Sequence, residues 1–241
     1  MRIRDVPQRG RRGKLIASRN RAGQYVREQG PVMNHRTLAQ QRARASLGEF
    51  ARLWNQITEK QRVAWRALAP EARSRPWQGQ SGPLDGPQLF KKLNTVLDLC
   101  RMPPLLDPPP LPQFTTNPVG ELYIERRRGG YRFKLAVTGV PDEDIMVFAW
   151  APYSAGTGYN ANYAFLGLLP PPRGGFSDIT ELYLQKLKEW RKLKDKRYQV
   201  PLPGSKIFVR AWQQVNGWEN QIFARMTSAL VPAKGRPAPG W

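Results

Sequence analysis

Two hydrophobic rhythms divide the chain. Before residue 100 the large apolar side chains recur every third or fourth position, and after residue 120 every second, which are the periods of helix and strand. In the first regime Thr37 opens T-L-A-Q and Thr58 opens T-E-K-Q. Each places a hydroxyl at an N-cap with a glutamine three residues on, the reciprocal capping box that starts a helix. Leu47, Phe50 and Trp54 follow the first box at i, i+3, i+7; Ala64, Trp65 and Leu68 follow the second until Pro70 stops the run. Two helices joined by Asn55-Gln56-Ile57 are expected to pack as an antiparallel hairpin, with Trp54 and Trp65 in its seam rather than stacked on bases. Leu89, Phe90, Leu93, Leu97 and Cys100 make a third amphipathic stripe, and Lys91, Lys92 and Asn94 are placed on its outer face.

The stretch 102–118 carries seven prolines in 17 positions, a composition that excludes helix and interior strand and reads as a stiff spacer. Beyond it, ELYIER, YRFKLAVT, IMVFAWA, YAFLGLL, KIFVRAWQQV and WENQIFARMTSALV each read as a strand. Asn216-Gly217 is the strongest hairpin signal among them, because both residues tolerate the positive φ of a type I′ turn. Residues 179–198 depart from strand pattern: Tyr183, Leu187 and Trp190 fall at helical spacing among lysines and arginines, giving a basic helix expected to lie on the strands through its apolar stripe. The expected class is α+β and multidomain: a basic arm over 1–36, a helical unit over 37–101, the linker 102–118, an antiparallel β-sandwich over 119–235 with the inserted helix, and a tail over 236–241.

Charge sharpens this picture. The net formal charge is +21, and residues 1–75 hold 18 Lys and Arg against 5 Asp and Glu, a local +13. So concentrated a cation implies a polyanionic or acidic partner, nucleic acid or an acidic protein surface. Within the arm, residues 1–13 read as an irregular tail, and KLIASRN with GQYVRE reads as a hairpin turning at Asn20 to Gly23. The candidate contact residues are Arg11, Arg12, Lys14, Arg19, Arg21, Arg27, Arg42 and Arg44, with Lys186, Lys188, Arg191, Lys192 and Lys194 of the basic helix as a secondary set. Isolated apolar residues in 1–36 are too few to offset the entropy of ordering that segment alone, so the arm is expected to order against its partner.

Candidate chemistry is sparse. Cys100 is the single cysteine and His35 the single histidine, so neither an intrachain disulfide nor a Cys/His zinc cluster can form. No phosphate-binding glycine loop, H-E-x-x-H, C-x-x-C or G-x-S-x-G occurs. Asp142, Glu143 and Asp144 form the acidic cluster a metal nuclease would need, and between two strands they read as turn solvation. No cofactor and no catalytic residue is expected. With neither a secretion signal nor an apolar span, the expected location is the cytoplasm or a particle assembled there.

GKLIASRNRAGQYVR, then NHRTLAQQRARASLGEFARLWNQITEKQRVAW and GPQLFKKLN, resemble an uncharacterised family of bacterial, phage and prophage proteins that sets a Gly-Lys basic hairpin before a Thr-x-x-Gln helix pair. The likeness covers roughly residues 13–97, and KIFVRAWQQVNG is similar to the last strands of a fibronectin type III or immunoglobulin-like module. The resemblance transfers no catalytic residue; the polarised charge, the proline strut and the lack of active-site chemistry set the expectation of a non-enzymatic structural or assembly protein, of the kind found in a phage or phage-like particle. An RNA- or DNA-binding, ribosome-associated role is the alternative that the charge leaves open.

Overall fold

The computed structural model describes residues 9–20, 23–30, 38–72, 82–128, 130–150, 152–159, 163–192 and 201–232. The fold is α+β, and the chain divides into two compact units: residues 1–98 with 104–109, and residues 99–103 with 110–241.

The first unit begins with three antiparallel strands, β1 (Gly10–Arg12), β2 (Leu15–Asn20) and β3 (Gly23–Glu28), in the order β1-β2-β3. The hairpin read from the sequence corresponds to β2 and β3, while β1 corrects the reading of residues 1–13 as wholly irregular. Three helices follow: α1 (Leu38–Gln56), α2 (Glu59–Leu68) and α3 (Gly86–Leu99). Thr37 lies outside the described residues. At α2 the capping box is complete, the Thr58 hydroxyl accepting from the Gln61 N–H and the Gln61 side chain accepting from the Thr58 N–H. Asp85 and Gln88 form the same reciprocal pair at the start of α3. The D-x-x-Q spacing of residues 85–88 is the sequence signal for this second box.

Phe90 of α3 is the hub of this unit. Both tryptophans present an edge to its ring, Trp54 at 5.4 Å and Trp65 at 5.2 Å between centroids, so α3 fills the seam expected between α1 and α2. Trp65 is fully buried and its indole N–H donates to the Leu106 carbonyl at 2.8 Å; Trp54 is half-buried. Leu47, expected on the same face, is 48% exposed, although the neighbouring Ser46 hydroxyl donates to Asp98 of α3 at 2.8 Å. Asn94, expected on the outer face, is fully buried instead. Its amide donates to the carbonyls of Phe90 and Leu105 and accepts from the Leu105 N–H. A proline-rich segment has few N–H groups with which to pair itself, and a buried side-chain amide satisfies it here. At Gly86 an added Cβ would meet the Arg66 backbone within 3.2 Å, so α2 and α3 touch where only glycine fits.

The second unit holds two antiparallel sheets. One runs β4 (Val119–Arg127), β5 (Gly130–Val137), β8 (Phe176–Asp178); the other runs β10 (Trp218–Glu219), β9 (Lys206–Val215), β6 (Asp144–Ala149), β7 (Ala164–Leu168), with β11 (Arg225–Leu230) also on β9. Helix α4 (Thr180–Lys192) lies between β8 and β9 in the chain. Leu122, Phe133 and Leu135 of the first sheet share a core with Ile145, Val147, Ile207 and Val209 of the second and with Tyr183 and Leu187 of α4. The helix is thus seated through its apolar stripe, and the Tyr183 hydroxyl donates to the Trp150 carbonyl. Burial raises the Tyr183 pKa, so the phenol stays neutral.

Asn216 and Gly217 take φ of 49° and 82°, and Val215 pairs with Trp218 across them, the two-residue hairpin of a type I′ turn. Strand β8, absent from the sequence reading, follows the same device: Gly174 and Gly175 have φ of 59° and 78°, and Arg173 bridges Phe176. The stretch expected as one strand from Trp218 is broken at Asn220–Ala224, leaving Ile222 and Phe223 exposed. Asn220 keeps its backbone N–H on the Gln213 carbonyl and adds a side-chain bond to the Gln213 side chain, while the Asn117 amide donates to the Phe223 carbonyl.

Candidate polyanion-binding surface

The basic strands are positioned by a tight turn. Arg12 pairs with Leu15 around Gly13-Lys14, and Gly13 takes φ +61°, as the first central position of a type II′ turn requires. The Arg11 Nε donates to the Gly13 carbonyl at 3.1 Å and fastens that turn. Register then sorts the cations. Arg11 pairs with Ile16 and Ile16 with Arg27, so the three form one row across the sheet, with Ser18 and Tyr25 in the next row of the same face. Arg12 and Arg19 fall on the opposite face beside Leu15, Val26 and Glu28, and Lys14 sits in the turn. The arm's five arginines and one lysine, read as one strip, therefore resolve among the described residues into an Arg11–Arg27 pair and a scattered remainder. Arg21 lies outside the described residues.

None of the described side chains of this small sheet is buried on either face. Leu15 is 51% exposed and Tyr25 41%. A sheet of three short strands needs a packed face to be stable, and this one shows none among the described residues.

Arg42 and Arg44 lie on the exposed N-terminal half of α1, two residues and about 200° apart around the helix, so they do not converge. On α4, Lys186 pairs with Glu189 at 2.9 Å and Lys188 is exposed. Arg191 and Lys192 end the described helix, while Lys194 lies outside the described residues.

The acidic cluster is where turn solvation fails as an account. Glu143 accepts from the Thr115 N–H and hydroxyl and from Gln213, and Asp144 accepts from Gln214. The two carboxylates thereby tie β6 to β9 and to the end of the proline-rich stretch. Partial burial pushes the Glu143 pKa up, and the bonds from Thr115 and Gln213 outweigh it, leaving the carboxyl below its usual 4.5. A depressed carboxylate adds stability that is whole above the unfolded pKa and fades as pH falls through the folded one. Glu143→Gln should therefore flatten the acid limb of a melting-temperature profile below about pH 4.5; an unchanged limb would locate the acid sensitivity elsewhere. Among the described residues no group of three or more His, Cys, Asp or Glu side chains is placed to hold a metal ion. Cys100 is half-buried, and burial, with Asp144 and Glu219 nearby, pushes its thiol up to about 11.

One set of cations escaped the sequence reading. Arg127, Arg128, Arg132 and Arg173 border one cavity; the signal was the R-R-R run before Gly129-Gly130.

Comparison with protein-family models, curated proteins and solved structures finds no match to this chain. Among the described residues no helix is long and apolar enough to cross a membrane.

Proposed function

We propose that this chain is a non-enzymatic structural or assembly protein, of the kind that a phage or phage-like particle uses. Its basic three-stranded sheet seats on a polyanionic or acidic surface. The two-sheet unit fits a sandwich of the fibronectin type III or immunoglobulin kind and serves as the packing or projecting module. One observation carries the reading: among the described residues β1–β3 have no buried face, yet present Arg11 and Arg27 in one row on either side of Ile16. A sheet that lacks a core gains one when a partner covers it. Arginine is the side chain best suited to that contact, since its fork gives charge-assisted, bidentate bonds to phosphate or carboxylate.

Tyr25, exposed on the same face as Arg11 and Arg27, favours nucleic acid as a second reading, because an aromatic beside arginines is a platform for base stacking. Salt distinguishes the two partners. Binding to nucleic acid should weaken linearly in log–log form, and Arg11→Glu with Arg27→Glu should reduce the slope by about 2 and the affinity about 10- to 100-fold near 0.15 M salt. A shallow salt response with the same loss on mutation would favour an acidic protein surface. Wild-type binding by the double variant would remove the sheet from the interface altogether.

A further inference from the structure

The second unit carries a cavity of about 880 Å³ between the β4–β5 turn, the connection from β7 to β8 and the first turns of α4. Four arginines face it, against the carboxylates of Asp178 and Glu181. Two of the four are already engaged: Arg132 pairs with Asp178 at 2.6 Å and Arg127 with Glu125 at 3.1 Å. Arg128 and Arg173 are exposed, and their side chains have no bonded partner among the described residues. Apart from Thr180, the remaining wall is mostly apolar, with Tyr131, Pro170, Leu182, Leu184 and Pro201 prominent in it.

Each part of that lining constrains the occupant. Two free guanidinium groups on separate elements match an anionic head with several acceptor oxygens, such as a phosphate monoester, which can take bidentate bonds from more than one arginine. The carboxylates repel a uniformly anionic chain and favour hydroxyl or amine donors away from the head. The apolar wall rewards a flat or apolar body, and the volume falls in the range of small-molecule sites. From this we infer that the cavity is a binding site for a nucleoside monophosphate: phosphate on Arg128 and Arg173, base and sugar along Tyr131 and the leucines, donors toward Glu181. The site is built from the β4–β5 turn, the β7–β8 connection and α4 of the second unit and includes no residue of the basic sheet.

The test uses the full chain with AMP, inorganic phosphate and adenosine as probes, followed by calorimetry. One-to-one AMP binding is expected, at least tenfold tighter than phosphate or adenosine alone, since head and body each contribute. Arg128→Ala with Arg173→Ala should weaken AMP at least tenfold without changing the melting temperature, because both side chains are exposed and unpaired. Leu184→Asp, at an exposed wall position, should weaken AMP more than phosphate. Arg11→Glu with Arg27→Glu should leave AMP binding intact, which separates this site from the polyanion surface. No AMP binding at millimolar concentration, phosphate binding as tightly as AMP, or AMP binding indifferent to the Arg128/Arg173 pair would each overturn the assignment.

Discussion

Trp65→Ala should cost the helical unit about 3–5 kcal/mol, a large part of the stability that a small folded unit possesses. The indole is fully buried, packs edge-on against Phe90 and donates its N–H to the Leu106 carbonyl. Truncation removes the largest fully buried side chain among the unit's described residues, leaves a cavity under Phe90 and strands a carbonyl in the proline-rich segment. Trp54→Ala should cost distinctly less, because that ring is half-buried and water already reaches part of it. Urea melts of the two variants, read by near-ultraviolet circular dichroism, check this. Equal costs, or a loss below about 1 kcal/mol at Trp65, would mean that the Phe90 hub does not hold the helices together.

Asn94→Ala should be the second most damaging change, at about 2–5 kcal/mol. Three hydrogen bonds disappear, and the N–H and C=O of Leu105 lose the partner that satisfies both; an orphaned buried polar group costs about 1–3 kcal/mol. Asn94→Leu, near-isosteric but apolar, should fare no better, since the fault lies in the unpaired backbone rather than in missing volume. Amide hydrogen exchange reads the site directly: the Leu105 N–H should be protected in the wild type and lose protection in both variants. Protection that survives Asn94→Ala would show another acceptor in reach of Leu105 and lower the expected cost.

These two residues also show what the sequence made visible. Trp65 stood at helical spacing among apolar neighbours, so its burial followed from periodicity, as did Phe133 and Leu135 from alternation. Asn94 occupies an equally buried position on α3, but the pattern assigns a polar residue to water, and only the distant Leu105 reveals why it turns inward. Glu143, Gln213 and Asn117 were misread or missed for the same reason: each satisfies backbone or side-chain groups far along the chain. Local signals fared better. The Thr58–Gln61 box and the Asn216-Gly217 turn lie within four residues and were legible outright, whereas Gly174-Gly175 carried the same information in a segment too short to show a strand period. In the basic arm, composition identified the cations, but only register placed Arg11 with Arg27 and set Arg12 and Arg19 behind them.

The turn at Asn216-Gly217 also bears on how the protein ages. In an asparagine–glycine step the glycine nitrogen can close on the asparagine side-chain carbonyl and expel ammonia, giving a cyclic imide that water then opens to an aspartyl or isoaspartyl residue. Asn216 is exposed, and no side chain on the following residue shields it. The Gly217 N–H, however, donates to the Gln214 side-chain oxygen at 3.0 Å, and Gln214 is itself held by Asp144 and Met102. The nitrogen that would have to shed its proton to attack is therefore engaged by a buried amide. The side-chain bond that braces the turn also slows the chemical clock written into its two residues.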